Sequence, residues 1–302
     1  MLTTRFAPAP TGFLHLGHIV NAIYVWGIAR AGGGRVLLRI EDHDRRRSRP
    51  EFERAILDDL DWLGFLPDEP PIAAFRAGQC LGRQSDRHAI YASALEDLKA
   101  RQLVYACECS RREISDAGGA TGEELRYPGT CAEKGLLERA DLSLRVKLTP
   151  AVERFDDLRR GPQEQRPSEQ CGDLVVRDRD NQWTYQFAAT VDDLEQGVDL
   201  VIRGEDLLAS TGRQIQLARL LGRADPPRFL HHALVMKTPE QKLSKSDGDT
   251  GVRDLRAKGW SAQDIIGEAA AAAGLIDHRR GIQASEVSAL FTATTSNWHQ
   301  SR

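Results

Sequence analysis

The chain has 302 residues, 41% hydrophobic and 28% charged, with a formal net charge of −3 at pH 7, which suits one large globular domain or two to three smaller ones. No stretch approaches the roughly 18 apolar residues of a membrane span, and MLTTRFAPAP has no apolar signal core, so a cytoplasmic protein with no membrane partner is expected. Five cysteines, an odd number without a secretion signal, argue against a disulfide framework, while the net charge leaves a local basic surface for nucleic acid open.

TTRFAPAP reads as a short strand ended by its prolines, followed by a turn at Thr11-Gly12 and a helix over about residues 15 to 31, where Ile19, Ile23 and Trp26 fall at helical spacing. RVLLRIED, residues 35–42, is a continuous apolar run with a charged end, the pattern of a parallel strand buried on both faces. Strand, helix, strand is a βαβ unit whose crevice lies at the carboxyl ends of the strands. Residues 51–65 and 84–102 read as further helices. From Leu103 to about Arg166 no clean period emerges, which predicts an inserted subdomain. DLVVRDRDNQWTYQFAATVDD reads as a hairpin turning at Asp180-Asn181. GVDLVIRGEDLL and RFLHHALVM read as buried strands flanking a helix at about 210–221. Beyond Gly251 the sequence is Ala-rich and helical, then polar. The expected organisation is 1–102 as the first half of an α/β Rossmann-type core, 103–172 as the insertion, 173–250 as the second half, and 251–302 as a short helical appendage.

Two short stretches point to chemistry. In HLGH, His15 and His18 share a face of the first helical turn. Either one alone can be a cap or a satisfied surface group. As zinc ligands they lack a third partner at standard spacing, whereas the free N–H groups of a helix start suit an anion, and Gly17 permits close approach. In KLSKS, residues 242–246, Lys242 and Lys245 can neutralise charge developing on a triphosphate. A third stretch, Cys107-Glu108-Cys109 followed by RYPGTC at 126–131, offers three thiolates to a metal, with Tyr127, Glu108 or water in the fourth place.

PAPTGFLHLGH and KLSKS resemble the two signature motifs of class I aminoacyl-tRNA synthetases. With RIEDHDRRRS, TYQFAATVDD and VIRGEDLL in the same order, the stretch from Arg5 to Ser246 is similar to the glutamyl-tRNA synthetase catalytic domain. Only residues 247–302 follow the second motif, too few for an all-helical anticodon-binding part, and the compact chain resembles the glutamyl-Q tRNA(Asp) synthetase family. The resemblance implies a doubly wound parallel sheet carrying a zinc-bearing insertion. It implies activation of L-glutamate by ATP without tRNA, and transfer to queuosine in the anticodon loop of tRNA(Asp). It places His15, His18 and Lys245 in catalysis, with Gly17 and Lys242 beside them at ATP and Mg²⁺ on the phosphates. Glutamate would be held by Arg5, Phe6, Ala7, Pro8, Ala9, Glu41, Tyr185 and Arg203. The family's Cys-x-Cys, Tyr-x-x-x-Cys pattern gives one structural Zn²⁺ on Cys107, Cys109, Tyr127 and Cys131.

Guanidinium forks suit the two carboxylates of glutamate, and Glu41 suits its ammonium. One departure stands out. The family commonly has serine where this chain has Ala9, so a hydrogen bond to the amino acid, worth about 0.5–1.5 kcal/mol, is expected to be missing. The basic run Arg45, Arg46, Arg47 and Arg49 is either a solvated face or a contact for tRNA phosphates. A monomer is expected. The competing readings are a glutamyl-tRNA synthetase catalytic domain charging tRNA(Glu) and a non-catalytic tRNA-binding paralogue.

Overall fold

A computed structural model describes residues 1–121, 124–238, 241–242 and 251–292. In chain order, β1 (Thr3–Phe6), α1 (Leu16–Ala31), β2 (Arg35–Leu38), α2 (Pro50–Leu63), α3 (Ile72–Ala77) and α4 (His88–Ala100) form the first part. They are followed by β3 (Val104–Cys107), α5 (Arg111–Ile114), β4 (Ala120–Thr121), β5 (Glu124–Leu125), β6 (Ser143–Val146), β7 (Glu153–Asp157), β8 (Gly161–Gln165), α6 (Pro167–Gln170) and β9 (Leu174–Arg177). The last part holds α7 (Tyr185–Glu195), β10 (Leu200–Gly204), α8 (Thr211–Leu220), β11 (Arg228–His232), β12 (Met236–Thr238), β13 (Gln241–Lys242), α9 (Val252–Ala257) and α10 (Ala262–Ala272). No described helix is long and apolar enough to cross a membrane.

The main sheet has the order β2-β1-β10-β11-β7-β8, parallel except for β8 at its edge. β1 has β2 on one side and β10 on the other, so the chain reverses its direction of travel across the sheet there. Such a switch point opens a crevice at the carboxyl ends of the strands. β2 and β10 are almost wholly buried, as their apolar runs predict, and β1 between them is buried throughout despite its polar residues. α1 is buried on nearly every side, and α10 with the turn at 284–290 packs over it.

Two sequence expectations need correction. Residues 153–165 were expected inside the insertion, but β7 and β8 extend the main sheet, Asp157 pairing with Phe229. The insertion's own sheet is β3-β6-β9, so its third strand comes from residues beyond 172. Polar alternation along β7 and β8 hid them, because an edge pair buries one face only. The hairpin expected over 173–193 is half right. β9 turns at Asp178–Gln182 and returns as a single bridge from Trp183 to Arg177, after which the chain becomes α7. Trp183, Phe187 and Val191 recur every four residues and pack against Tyr91, Leu95 and Leu98 of α4, a helical period masked by β-prone residue types.

Candidate functional site

His15 is the N-cap of α1, and its Nδ1 accepts from the N–H of Gly17 at 3.1 Å. His18 reaches back so that its own Nδ1 accepts from the N–H of His15 at 3.1 Å, closing a capping box made of two imidazoles. A backbone N–H can only donate, so each neutral ring carries its proton on Nε2. Gly17 makes room for this arrangement. A Cβ at that position would lie 3.0 Å from Cε1 and 3.1 Å from Nδ1 of His15. The helix-cap reading of HLGH is thus met through the Nδ1 edge of each ring.

Arg5, Ala7, Ala9, His15, Gly17, His18, Glu41, Tyr185 and Arg203 line one cavity of about 490 Å³ at the carboxyl ends of β1 and β10. Phe6 and Pro8 do not line it. Strand alternation turns Phe6 into the core, 1% exposed and 5.3 Å from the Trp26 ring, while the carbonyl of Pro8 accepts from the N–H of Glu41. His43, Asn21 and His232 also border the cavity. Lys245 lies outside the described residues, and of Lys242 the backbone pairing of β13 with Met236 is described. Gly251, where the described chain resumes, bridges to His15.

The buried charges behind the cavity fall into two groups. In the first, Asp193 accepts from Arg5 Nε at 3.0 Å and from Arg39 Nη1 at 2.8 Å, while Arg39 Nη2 donates to Glu41 at 3.2 Å. Burial works against ionising Asp193, but the two guanidiniums hold its carboxyl down at about 2. Burial pushes Glu41 upward, and Arg39 only partly offsets that. Arg5, which the resemblance places at glutamate, lines the cavity and is paired with Asp193.

The second group surrounds Arg203 on β10. It donates through Nε to His231 Nε2 at 3.0 Å, through Nη1 to Gln214 Oε1 at 2.7 Å, and through Nη2 to Thr211 Oγ1 at 2.9 Å. Among the described residues no carboxylate pairs with it. Tyr185, at the start of α7, adjoins it, and burial raises that phenol. Arg39, Asp193, His231, Thr211 and Gln214 were not singled out in the sequence. An arginine inside the apolar run RVLLRI and the histidine pair closing the strand RFLHH were the available signals.

In the insertion, the thiol sulfurs of Cys107, Cys109 and Cys131 lie within 4.8 Å of one another. The Cys107 thiol donates to the Tyr127 hydroxyl at 3.4 Å, and that oxygen also accepts from the Cys131 N–H at 2.8 Å. Glu108, the other candidate for the fourth place, pairs with Lys134 at 2.8 Å instead. Burial and the neighbouring sulfurs push the Cys109 thiol up to about 11, a crowding that a bound cation would relieve. Three sulfurs and a phenol at this spacing fit a closed, structural metal centre. In the basic run, Arg45, Arg46 and Arg47 pair with Asp42, Asp180 and Asp44, and Arg49 donates to the carbonyls of Arg46 and Ser48.

Residues 1–297 match the family model of the class I tRNA synthetases (E and Q), catalytic domain. The chain is 41% identical over 283 residues to a glutamyl-Q tRNA(Asp) synthetase of Rhodobacter capsulatus, covering 87% of this chain and 98% of that protein. It is 40% identical over 303 residues to one of Symbiobacterium thermophilum, covering 96% and 92%. A crystal structure of a glutamate tRNA ligase from Elizabethkingia meningosepticum, in complex with its amino acid, superposes with a TM-score of 0.77 at 27% identity. That alignment covers 95% of this chain and 64% of the ligase, so the chain spans under two thirds of that structure.

Proposed function

Because the chain belongs to the glutamyl and glutaminyl (E and Q) family of class I tRNA synthetases, we propose that it activates L-glutamate with ATP, without tRNA, and transfers it to queuosine in the anticodon loop of tRNA(Asp). One observation carries the activation step. A single cavity is lined by the imidazoles of His15 and His18 at a helix N-terminus, the buried carboxyl of Glu41, and the buried guanidinium of Arg203, which forms no ion pair with a described carboxylate. Those are complements to a phosphate chain, an ammonium and a carboxylate.

In this mechanism the glutamate α-carboxylate attacks the α-phosphorus of ATP in line. The bond to the bridging oxygen breaks, leaving glutamyl-adenylate and pyrophosphate. His15 and His18 donate Nε2–H to phosphate oxygens, Lys245 and Lys242 supply positive charge, and Mg²⁺ accompanies the nucleotide. Arg203 and Tyr185 take up a substrate carboxylate while Glu41 holds the ammonium. No protein nucleophile is needed, since alignment and charge stabilisation lower the barrier. A hydroxyl of the RNA then attacks the acyl carbon of the mixed anhydride and releases AMP. The centre formed by Cys107, Cys109, Tyr127 and Cys131 is proposed to hold one Zn²⁺, which would brace the insertion and take no part in the chemistry.

Glutamate-dependent ATP–pyrophosphate exchange without RNA tests the first step, and its absence would favour a non-catalytic binder. Glutamate transfer to tRNA(Asp) with queuosine, to the same RNA lacking queuosine, and to tRNA(Glu) tests the second. Charging of tRNA(Glu) alone would replace the proposed acceptor.

A further inference from the structure

The buried guanidiniums behind the cavity are not equivalent. Arg5 is matched to Asp193, and Arg39 to Asp192, Asp193 and Glu41. Arg203 is as buried as Arg5, at 4% exposed, yet its three acceptors are an imidazole nitrogen, an amide oxygen and a hydroxyl. Leaving a buried cation without a counter-ion is costly, so a purely structural arginine would be expected to have one.

The neutrality of the imidazole is enforced. β10 and β11 pair with Arg203 directly opposite His231, which brings the two side chains together. His231 Nε2 accepts from Arg203, so the ring proton sits on Nδ1 and is donated to Asp157 Oδ2 at 2.7 Å. Asp157 also accepts from the backbone N–H groups of Arg159, Arg160 and His231, which keeps its charge in place one ring away from Arg203. Gln214 presents its oxygen to Arg203, while its Nε2 finds no partner among the described residues. A glutamate there would satisfy both groups better, but it would cancel the charge.

We infer that His231, Gln214 and Thr211 form a charge-neutral acceptor cradle that aims Arg203 and reserves its charge for a substrate carboxylate, with Asp157 fixing His231 in the accepting tautomer. The inference rests on the glutamate reading above. These four are positioning residues, since the guanidinium stands between them and the ligand.

Gln214→Glu is the discriminating variant. It should fold with an unchanged or higher unfolding midpoint, yet raise the glutamate KM in ATP–pyrophosphate exchange about tenfold or more, with the ATP KM within about twofold. A merely structural role gives the same stability with an unchanged glutamate KM, and that result would overturn the cradle. His231→Asn keeps the donor to Asp157 but withdraws the acceptor, whereas His231→Gln offers an oxygen near the position of Nε2. Glutamate affinity should fall in the first and largely return in the second, and equal losses in both would also overturn it. If the wild type shows no glutamate-dependent exchange, the activity reading fails by itself. The thermal shift on adding L-glutamate then decides the cradle: Gln214→Glu must weaken it, and an unchanged shift or none in the wild type overturns the inference.

Discussion

His18 accepts a hydrogen bond from the backbone N–H of His15, and His15 caps the turn on which His18 sits. Each ring therefore has a capping edge, and on the proposed mechanism its other edge donates to phosphate. Alanine at either position removes both, whereas asparagine places an oxygen near Nδ1 and nothing at Nε2. His15→Ala should lose about 1 kcal/mol of stability together with adenylate formation, while His15→Asn should keep most of the stability and lose the activity. Denaturant unfolding beside ATP–pyrophosphate exchange separates the two edges; a fully active His15→Asn would remove His15 from the chemistry.

Burial lifts the Glu41 carboxyl above its ordinary range, against the pull of Arg39, Arg5 and His43 and helped by Asp193. The folded protein thus holds that proton to higher pH than the unfolded chain. Ionised Glu41 at neutral pH costs stability, and that cost vanishes as the pH falls through the raised value. The same protonation releases the substrate ammonium. Glutamate kcat/KM should fall on acidification at a higher pH than a carboxylate of ordinary pKa near 4.3 would dictate. Glu41→Gln should flatten that limb at a low level and raise the unfolding midpoint at neutral pH. A limb preserved in the variant would assign the titration elsewhere.

Ala9 lines the cavity, where the resemblance leads one to expect a serine. Introducing a hydroxyl by Ala9→Ser should lower the glutamate KM by roughly twofold to tenfold, corresponding to about 0.5–1.5 kcal/mol. Isothermal titration with L-glutamate measures it directly, and an unchanged affinity would show that no glutamate oxygen or nitrogen lies within reach of residue 9.

The cysteine cluster lies on elements that contribute nothing to the cavity lining. One zinc per chain should be found by elemental analysis, and Cys107→Ser or Cys131→Ser should reduce it. Because the insertion has only a small core of its own around these residues, the same variants should lower its protection in hydrogen exchange. Pyrophosphate exchange should persist while transfer to RNA suffers. Loss of exchange in a metal-free but folded protein would contradict a purely structural role.

Much of the frame was legible because it is written in short-range patterns. The helix after HLGH, the buried strands at 35–38 and 200–204 and the helix at 211–220 follow from apolar period and stop signals. The cavity's rim was legible through motif resemblance. What escaped was the layer beneath it. Arg39 looked like an interruption in a strand, and its partner Asp193 lies 154 residues away, a distance over which periodicity carries no information. β7 and β8 escaped because an edge pair looks polar, and α7 because its residue types prefer strands.

The order of strands in the main sheet also sets a timetable for synthesis. Thr3 near the N-terminus donates to the Asp199 carboxylate, 196 residues further along, and β1 gains its second neighbour only when β10 arrives. At about 5–20 residues per second, the first strand waits roughly 10–40 s on the ribosome with one hydrogen-bonding edge unpaired. Throughout that interval the HLGH helix has β1 and β2 to pack against but not β10. The HLGH segment thus gains its second sheet neighbour only after β10 has been translated, so one wall of the cavity is late to form.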